Sequence, residues 1–446
     1  MNTQLPIFYI SNDPLRGLGI EDIYENFHLI CVDYIPVVDW LMEQGRSVFC
    51  LEKELGQKFI RDSRETLFLP EVQDYILKHS KIEVGIVFFK PQVALSQILK
   101  NTTLGKSRQV KSLNAQLLIS NQIENKIYFH NLCKNNQLSI APAIVGNCSQ
   151  LKYADLLNQF GLNFVIQMER GWFGNSTYFM HNENDYQDFC VKFPNKEIKV
   201  AKFIPGIVLT NNVVVGKNLI YQTKPFLQLN DDLNSDIRLA RLPGSTIGNA
   251  WVDLHSLSIP QIDQIIIEIH TITQRIGEII KQLGFRGYCG FDFLVSNDGN
   301  VYLQECNARF TASCQMISQL ELKECGVSLL QLHYQEFGID FGISVTPSEQ
   351  CYQNLSGCRV VARNTQTQSV KLNLKQENGL YDINNSKFIQ SEYQLNNTKT
   401  SEQLLFTAAV DRTINPDQEV LQLQTKNTNY HETIQYAWAF KKIICE

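Results

Sequence analysis

The sequence has no apolar run approaching the roughly 18 residues that a bilayer-spanning helix requires. Its most apolar stretch, Ile262 to Ile280, is interrupted by Asp263, Glu268, Arg275 and Glu278, so no membrane association is expected. Neither sign of charge dominates: 40 Lys and Arg face 45 Asp and Glu, for a net charge of -5 and a pI near 6.0. No global positive field recruits nucleic acid, and any phosphate binding must be local. The 12 cysteines contain no C-x-x-C pair and no zinc-finger spacing. A chain of 446 residues needs no covalent staples, so these are expected to be reduced, mostly buried thiols. The first residues lack a basic segment followed by a signal-like apolar core, and a cytoplasmic protein is expected. There is no internal repeat, and the 8 histidines form no pair at metal-ligand spacing.

What is present is ordinary globular composition, 44% hydrophobic and 19% charged, with length enough for two to four domains. Short apolar runs at Ile7–Ile10, Ser47–Leu51 and Ile82–Phe89 alternate with helical patterns at Tyr34–Met42 and Pro91–Leu99. That rhythm predicts an α/β layer on a parallel sheet over residues 1–116. Helices are expected at Lys126–Asn135 and Ser149–Phe160, then strands broken by glycines from Phe164 to Tyr221 and a polar passage from Gln228 to Ser258. Isoleucines at three- and four-residue spacing predict a long helix over Gln261–Leu283, closed by Gly284. A hairpin follows, Tyr288–Val295 and Val301–Cys306 about the turn Asn297-Asp-Gly-Asn300. Residues from about 344 to 446 are polar with weak strands and are expected to form a small mixed C-terminal domain.

The hairpin carries the strongest chemical signal. Glu305 and Asn307 lie two apart and share a strand face, and folding about the turn brings Asp292 near them. Two carboxylates and an amide oxygen suit a hard divalent cation such as Mg2+. The competing view makes them strand-end charges, but Phe291, Phe293 and Leu303 surround them with core-forming residues. Farther back, Gln167-Met-Glu-Arg-Gly-Trp-Phe-Gly-Asn-Ser-Thr places glycines and hydroxyls after an apolar strand, as either an ordinary turn or a phosphate-approaching loop. Gly105-Lys106-Ser107 is no P-loop, because Lys100 stands where its first glycine belongs, and Gly17-Leu-Gly19 lacks a third glycine. Cys289, Cys306 and Cys314 flank the hairpin with no evident base and read as structural thiols.

The order of Lys126, the glycine loop at 171–176, Val200-Ala-Lys-Phe-Ile-Pro-Gly206, the long helix and Gly290-Phe-Asp-Phe…Gln-Glu-Cys-Asn-Ala-Arg309 resembles the ATP-grasp superfamily of carboxylate–amine ligases. The hairpin spacing, 13 positions from 292 to 305 and 2 from 305 to 307, is similar to that of D-alanine–D-alanine ligase-like members. The resemblance implies an α/β and α+β architecture: a pre-ATP-grasp domain over 1–116, an ATP-grasp domain over 117–343 and the small domain over 344–446. Within the middle domain it implies a nucleotide-binding lid at about 162–225 and a catalytic hairpin at 288–309. The layout is similar to peptide ligases with a small extra C-terminal domain.

Carried over by position, the resemblance assigns Asp292, Glu305 and Asn307 to Mg2+ or Mn2+ bridging the phosphates of ATP. It assigns Lys126, Gly171, Gly174, Asn175 and Ser176 to the phosphates, Lys202, Phe203 and Ile204 to the adenine edge, and Lys224 to a further phosphate contact. Arg309 takes the place of an arginine that binds the acyl phosphate or substrate carboxylate. Two positions depart from the pattern: Gln167 stands where a phosphate-binding lysine is usual, and Val208 where a ribose-binding glutamate is usual. The implied activity joins an amino acid, peptide or other carboxylic acid to an amine through an acyl phosphate, and a homodimer is compatible with it. An ATP-grasp carboxylase, or a catalytically weak nucleotide-binding module, are the alternatives.

Overall fold

A computed structural model of the chain describes residues 4–59, 62–171, 174–232, 236–242, 244–343, 355–372, 377–408 and 412–445. The N-terminal region is the expected parallel α/β layer. Its five strands run Ser47–Cys50, Phe27–Cys31, Ile7–Ser11, Glu83–Phe88 and Gln109–Ser112 across the sheet, every neighbour parallel. The central strands are buried on both faces, which is why they read as continuous apolar runs. One face packs under Val72, Ile76 and Ile98, and the other meets Phe310, Met316 and Leu330 of the middle of the chain.

A four-stranded antiparallel sheet, ordered Ala143–Asn147, Glu197–Lys202, Phe164–Met168 and Thr177–Met180, forms a separate lobe. Helices Tyr153–Phe160 and Glu183–Lys192 cover one face of it with Leu156, Phe160, Tyr186 and Phe189. The lobe therefore starts earlier than the lid expected at 162–225 and ends at Lys202, since Gly206–Val215 belongs to the large sheet. Within it Cys148 and Cys190 form a disulfide, their Cα atoms 6.0 Å apart. This corrects the expectation that all cysteines are free: the helix after residue 182 returns Cys190 to the end of the first strand, a proximity sequence spacing does not reveal.

The third sheet is continuous through the rest of the molecule. From Val301–Asn307 it runs through Gly287–Ser296, Gly206–Val215, Phe226–Asn230 and Thr246–Trp251, then on through Gly357–Arg363, Glu419–Thr425, Glu402–Thr407, Gly379–Asp382 and Phe388–Gln390. The texture change near residue 344 is thus not a break in the sheet. Thr246–Trp251 pairs directly with Gly357–Arg363, and one core joins Ile269, Ile276 and Phe293 to Val360, Leu423 and Phe440. The long helix spans Ile262–Gln282 and buries Ile265, Ile269, Ile272, Ile276 and Ile280 against this sheet. Gly284 follows at φ +92°, where a side chain is strained, and ends it. Among the described residues no helix is long and apolar enough to cross a membrane.

Candidate active site

Between the lobe and the large sheet lies a cavity of about 1050 Å³. The hairpin forms its floor. Gly287–Ser296 pairs with Val301–Asn307 in a ladder that sets Asp292 directly opposite Glu305 and Gly290 opposite Asn307. The register shifts between Asp292 and Phe293, where Gln304 is the extra residue of a bulge. Thr210, the cross-strand neighbour on the other side, donates its hydroxyl to Asp292 Oδ1 at 2.7 Å, and Asn307 Nδ2 donates to Oδ2 at 3.1 Å. The sequence expectation that 292, 305 and 307 converge describes this arrangement.

Asp292 is 5% exposed. Burial, and then the adjacent Glu305 charge, push its carboxyl up to about 7. Burial works on Glu305 in the same sense, but Lys126, whose Nζ lies 2.7 Å from Glu305 Oε2, outweighs it and keeps that carboxyl below its ordinary range. The pair thus carries an excess of negative charge that Lys126 offsets only in part. Two carboxylates and an amide fit Mg2+, leaving further positions for phosphate oxygens and water. Among the described residues no three His, Cys, Asp or Glu side chains gather as a metal site, so those other ligands would have to complete the shell.

Lys126 opens the helix Lys126–Asn135, whose start is fixed by Asn125 Oδ1 accepting from the N–H groups of Ile127 and Tyr128. Its own N–H donates to Glu169 O at 2.8 Å, tying the helix to the segment before the glycine loop. One turn on, His130 faces the same cavity; burial, then the Lys199 charge, lower its pKa to about 4.

Of the expected loop residues, Gly171 and Gly174 line the cavity while Asn175 and Ser176 do not. Ser176 is buried beneath Gly171, so close that a Cβ on residue 171 would sit 2.0 Å from Ser176 Oγ. Gly174, at φ +83°, faces Ser245 across the cavity mouth. Trp172 and Phe173 lie outside the described residues. Lys202, Phe203 and Ile204 line the cavity where the lobe passes into the large sheet, with Phe203 packed edge-on against Phe179 at 5.9 Å. Ile140, Phe179, Val208, Leu294 and Leu303 complete an apolar slot there. Lys224 is corrected: it sits in the connection before Phe226–Asn230, off the cavity walls, and that strand presents Gln228 and Asn230 instead.

Arg309 leaves the hairpin's end into the cavity, its Nε 3.2 Å from Glu124 Oε1. Glu124 is also ion-paired with Lys90 of the N-terminal region, so the arginine is positioned from two parts of the chain. Gln167 lines the cavity and reaches Thr177 Oγ1 at 3.4 Å. Directly opposite it in the ladder is Lys199, a cavity residue that motif reading missed. The signal was there: Ile198 and Val200 alternate inward along Glu197–Lys202, which turns Lys199 to the other face. Val208 likewise lies opposite Gln228, also on the cavity wall.

No family model and no curated protein sequence matches the chain. Its three-dimensional structure nevertheless resembles solved structures over nearly its whole length. Carboxyaminoimidazole ribonucleotide synthase from Aspergillus clavatus, complexed with ATP, superposes with a TM-score of 0.60 at 9% identity, covering 99% of each chain. Biotin carboxylase from Campylobacter jejuni, in a β,γ-ATP complex, gives 0.59 at 14% identity, covering 95% of this chain and 88% of that one. N5-carboxyaminoimidazole ribonucleotide synthetase from Thermotoga maritima gives 0.54 at 11% identity, covering 99% of each. The hairpin, the lobe and the parallel N-terminal layer are thus the parts of one known architecture, and the chain has the ATP-grasp fold.

Proposed function

We propose that the protein is an ATP-dependent ligase that activates a carboxylate as an acyl phosphate and joins it to an amine. The observation that carries this reading is the convergence of Asp292, Glu305 and Asn307 with Lys126 and Arg309 on one cavity that also has an apolar slot. The slot around Phe203 and Ile204 suits an adenine ring, with Gln228 beside Val208 placed for the ribose. Asp292, Glu305 and Asn307 would hold Mg2+ at the hairpin, and its charge would offset that of the phosphates during γ-phosphoryl transfer. Lys126 would exchange its contact with Glu305 for a phosphate oxygen, and Arg309 would hold the carboxylate in line. A carboxylate oxygen then bonds to the γ-phosphorus as ADP departs. The amine nitrogen next bonds to the acyl carbon, phosphate leaves with the bonding electron pair, and the amine loses a proton. Little is asked of the protein beyond orientation, charge stabilisation and exclusion of water by the lobe.

The acid is an amino acid, a peptide or another small carboxylate. A second reading has bicarbonate as the acid, and it is favoured by the names of the superposed structures, which are carboxylating enzymes. Both share the nucleotide chemistry and differ in what sits beside Arg309. The test is ADP release with mass spectrometry of products, using Mg·ATP with a panel of amino acids, small acids and amines, and separately with bicarbonate. ADP formed only when acid and amine are both present, with a new amide mass, is the expected result. A bicarbonate-dependent product without other acids selects the carboxylase. Tight Mg·ATP binding with no acid-dependent ADP across both arms would overturn the enzymatic reading in favour of a binding module.

A further inference from the structure

Lys199 is 7% exposed, faces the cavity, and makes no hydrogen bond or ion pair among the described residues. An ammonium group removed from water without a counter-charge is costly. Its surroundings raise that cost. Lys126 shares the wall, and the acid on that side of the cavity, Glu305, is already paired with Lys126. His130, on the same wall, is kept neutral and supplies no negative charge. Burial, and then Lys126, lower the Lys199 pKa to about 8, outweighing the opposing pull of the Glu305 charge.

We infer that Lys199 is the lobe's phosphate-binding cation, acting from the strand Glu197–Lys202 in place of the neutral Gln167 that faces it. The ladder pairs Gln167 with Lys199 directly. Directly paired residues emerge on one face with Cβ atoms about 4.5–5.5 Å apart. A lysine stem spans that distance, so either position can deliver an ammonium to the same point above the hairpin. Both side chains line the cavity beside Gly171, where a polyphosphate would run from the adenine slot towards Asp292 and Glu305. Lys126 would then grip that polyphosphate from the helix side and Lys199 from the lobe side. Gln167 brings no charge to that point and Lys199 does, so the phosphate site would have two cations.

This inference rests on the nucleotide reading, and calorimetry of Lys199→Gln and of the exchanged variant Lys199→Gln/Gln167→Lys separates the two. Lys199→Gln should weaken Mg·ATP binding about 10-fold or more, the scale of one charged hydrogen bond, and leave adenosine binding within about 2-fold. Its unfolding midpoint should not fall, because it removes a largely desolvated charge that makes no ion pair of its own; a purely structural lysine would lower it. The exchanged variant should recover most of the Mg·ATP affinity. Unchanged Mg·ATP affinity in Lys199→Gln, or a folded exchanged variant no tighter than Lys199→Gln, would overturn the inference. Tripolyphosphate distinguishes the two failures. Wild type that binds tripolyphosphate in a Lys199-dependent way but not Mg·ATP overturns the nucleotide reading and supports the anion role; wild type that binds neither overturns both.

Discussion

Asp292 and Glu305 stand opposite each other across the hairpin because Gln304 bulges out of the ladder between Leu303 and Glu305. Without the bulge, strict alternation from the Phe293–Leu303 pair would set neutral Gln304 against Asp292 and turn Glu305 to the other face. Like charges directly opposed on a sheet destabilise it. Here the opposition is offset by Lys126 and by the hydrogen bonds of Thr210 and Asn307. The bulge therefore builds a site at the expense of a regular ladder.

Glu305→Ala removes a proposed cation ligand and not a core side chain. Acid-dependent ADP release should fall by roughly 10²–10³-fold or more, while the unfolding midpoint stays within a few degrees of wild type. Wild-type rates of ADP release in Glu305→Ala would remove the hairpin from the chemistry.

Gly171 has no room for a Cβ, because Ser176 lies beneath it. Gly171→Ala should displace the loop and raise the Mg·ATP KM by about 10-fold, on the scale of 1–3 kcal/mol of overpacking. Adding Ser176→Gly to Gly171→Ala makes space and should restore much of the affinity. Equal KM values for the single and double variants would show that the contact does not set the loop.

Arg309 is expected to serve the acid and not the nucleotide. Arg309→Lys keeps the charge but loses the planar fork. It should raise KM for the carboxylic acid about 10-fold or more with little change in Mg·ATP binding by calorimetry. Glu124→Gln, which loosens the Arg309 anchor, should move the same acid KM in the same direction but less. A change confined to ATP affinity would place Arg309 on the phosphates.

His333 joins the hairpin to the N-terminal layer: its Nδ1 accepts from Tyr288 N–H at 2.9 Å and its Nε2–H donates to Leu113 O at 2.8 Å. Burial lowers its pKa to about 4. A histidine whose folded pKa lies below its unfolded value, about 6.5, contributes stability that is complete above about 6.5 and lost as pH falls towards 4. His333→Gln should cost about 1–3 kcal/mol near pH 7, and its urea-unfolding free energy should fall less than that of wild type between about pH 6.5 and 4.5. Parallel pH profiles for the two proteins would show that His333 is not held neutral.

The parts of the fold that the sequence makes legible are those where a local pattern decides the structure. Lys126–Asn135 forms as expected because Asn125 caps it, and the long helix follows its isoleucine stripe. The hairpin follows from its turn residues. Strand Thr246–Trp251 is hidden in a polar passage because Gly248 and Asn249 are poor strand formers; its pairing with Phe226–Asn230 and Gly357–Arg363 on either side imposes it. The same long-range pairing ties the C-terminal region into the large sheet, which a composition shift at residue 344 cannot foretell. Lys199 escapes motif reading because the pattern looks along one strand, whereas the side chain that faces the cavity at that height comes from the neighbouring one.

On the proposed reading, Asp292, Glu305 and Asn307 hold a divalent cation together with a nucleotide. Electron paramagnetic resonance of Mn2+ titrated with ADP and protein tests it most directly, without needing either remaining substrate. Protein-bound Mn2+ that requires ADP is expected in the wild type and should be lost in Glu305→Ala and Asp292→Asn, both still folded. Equal nucleotide-dependent Mn2+ binding in wild type and both variants would contradict it.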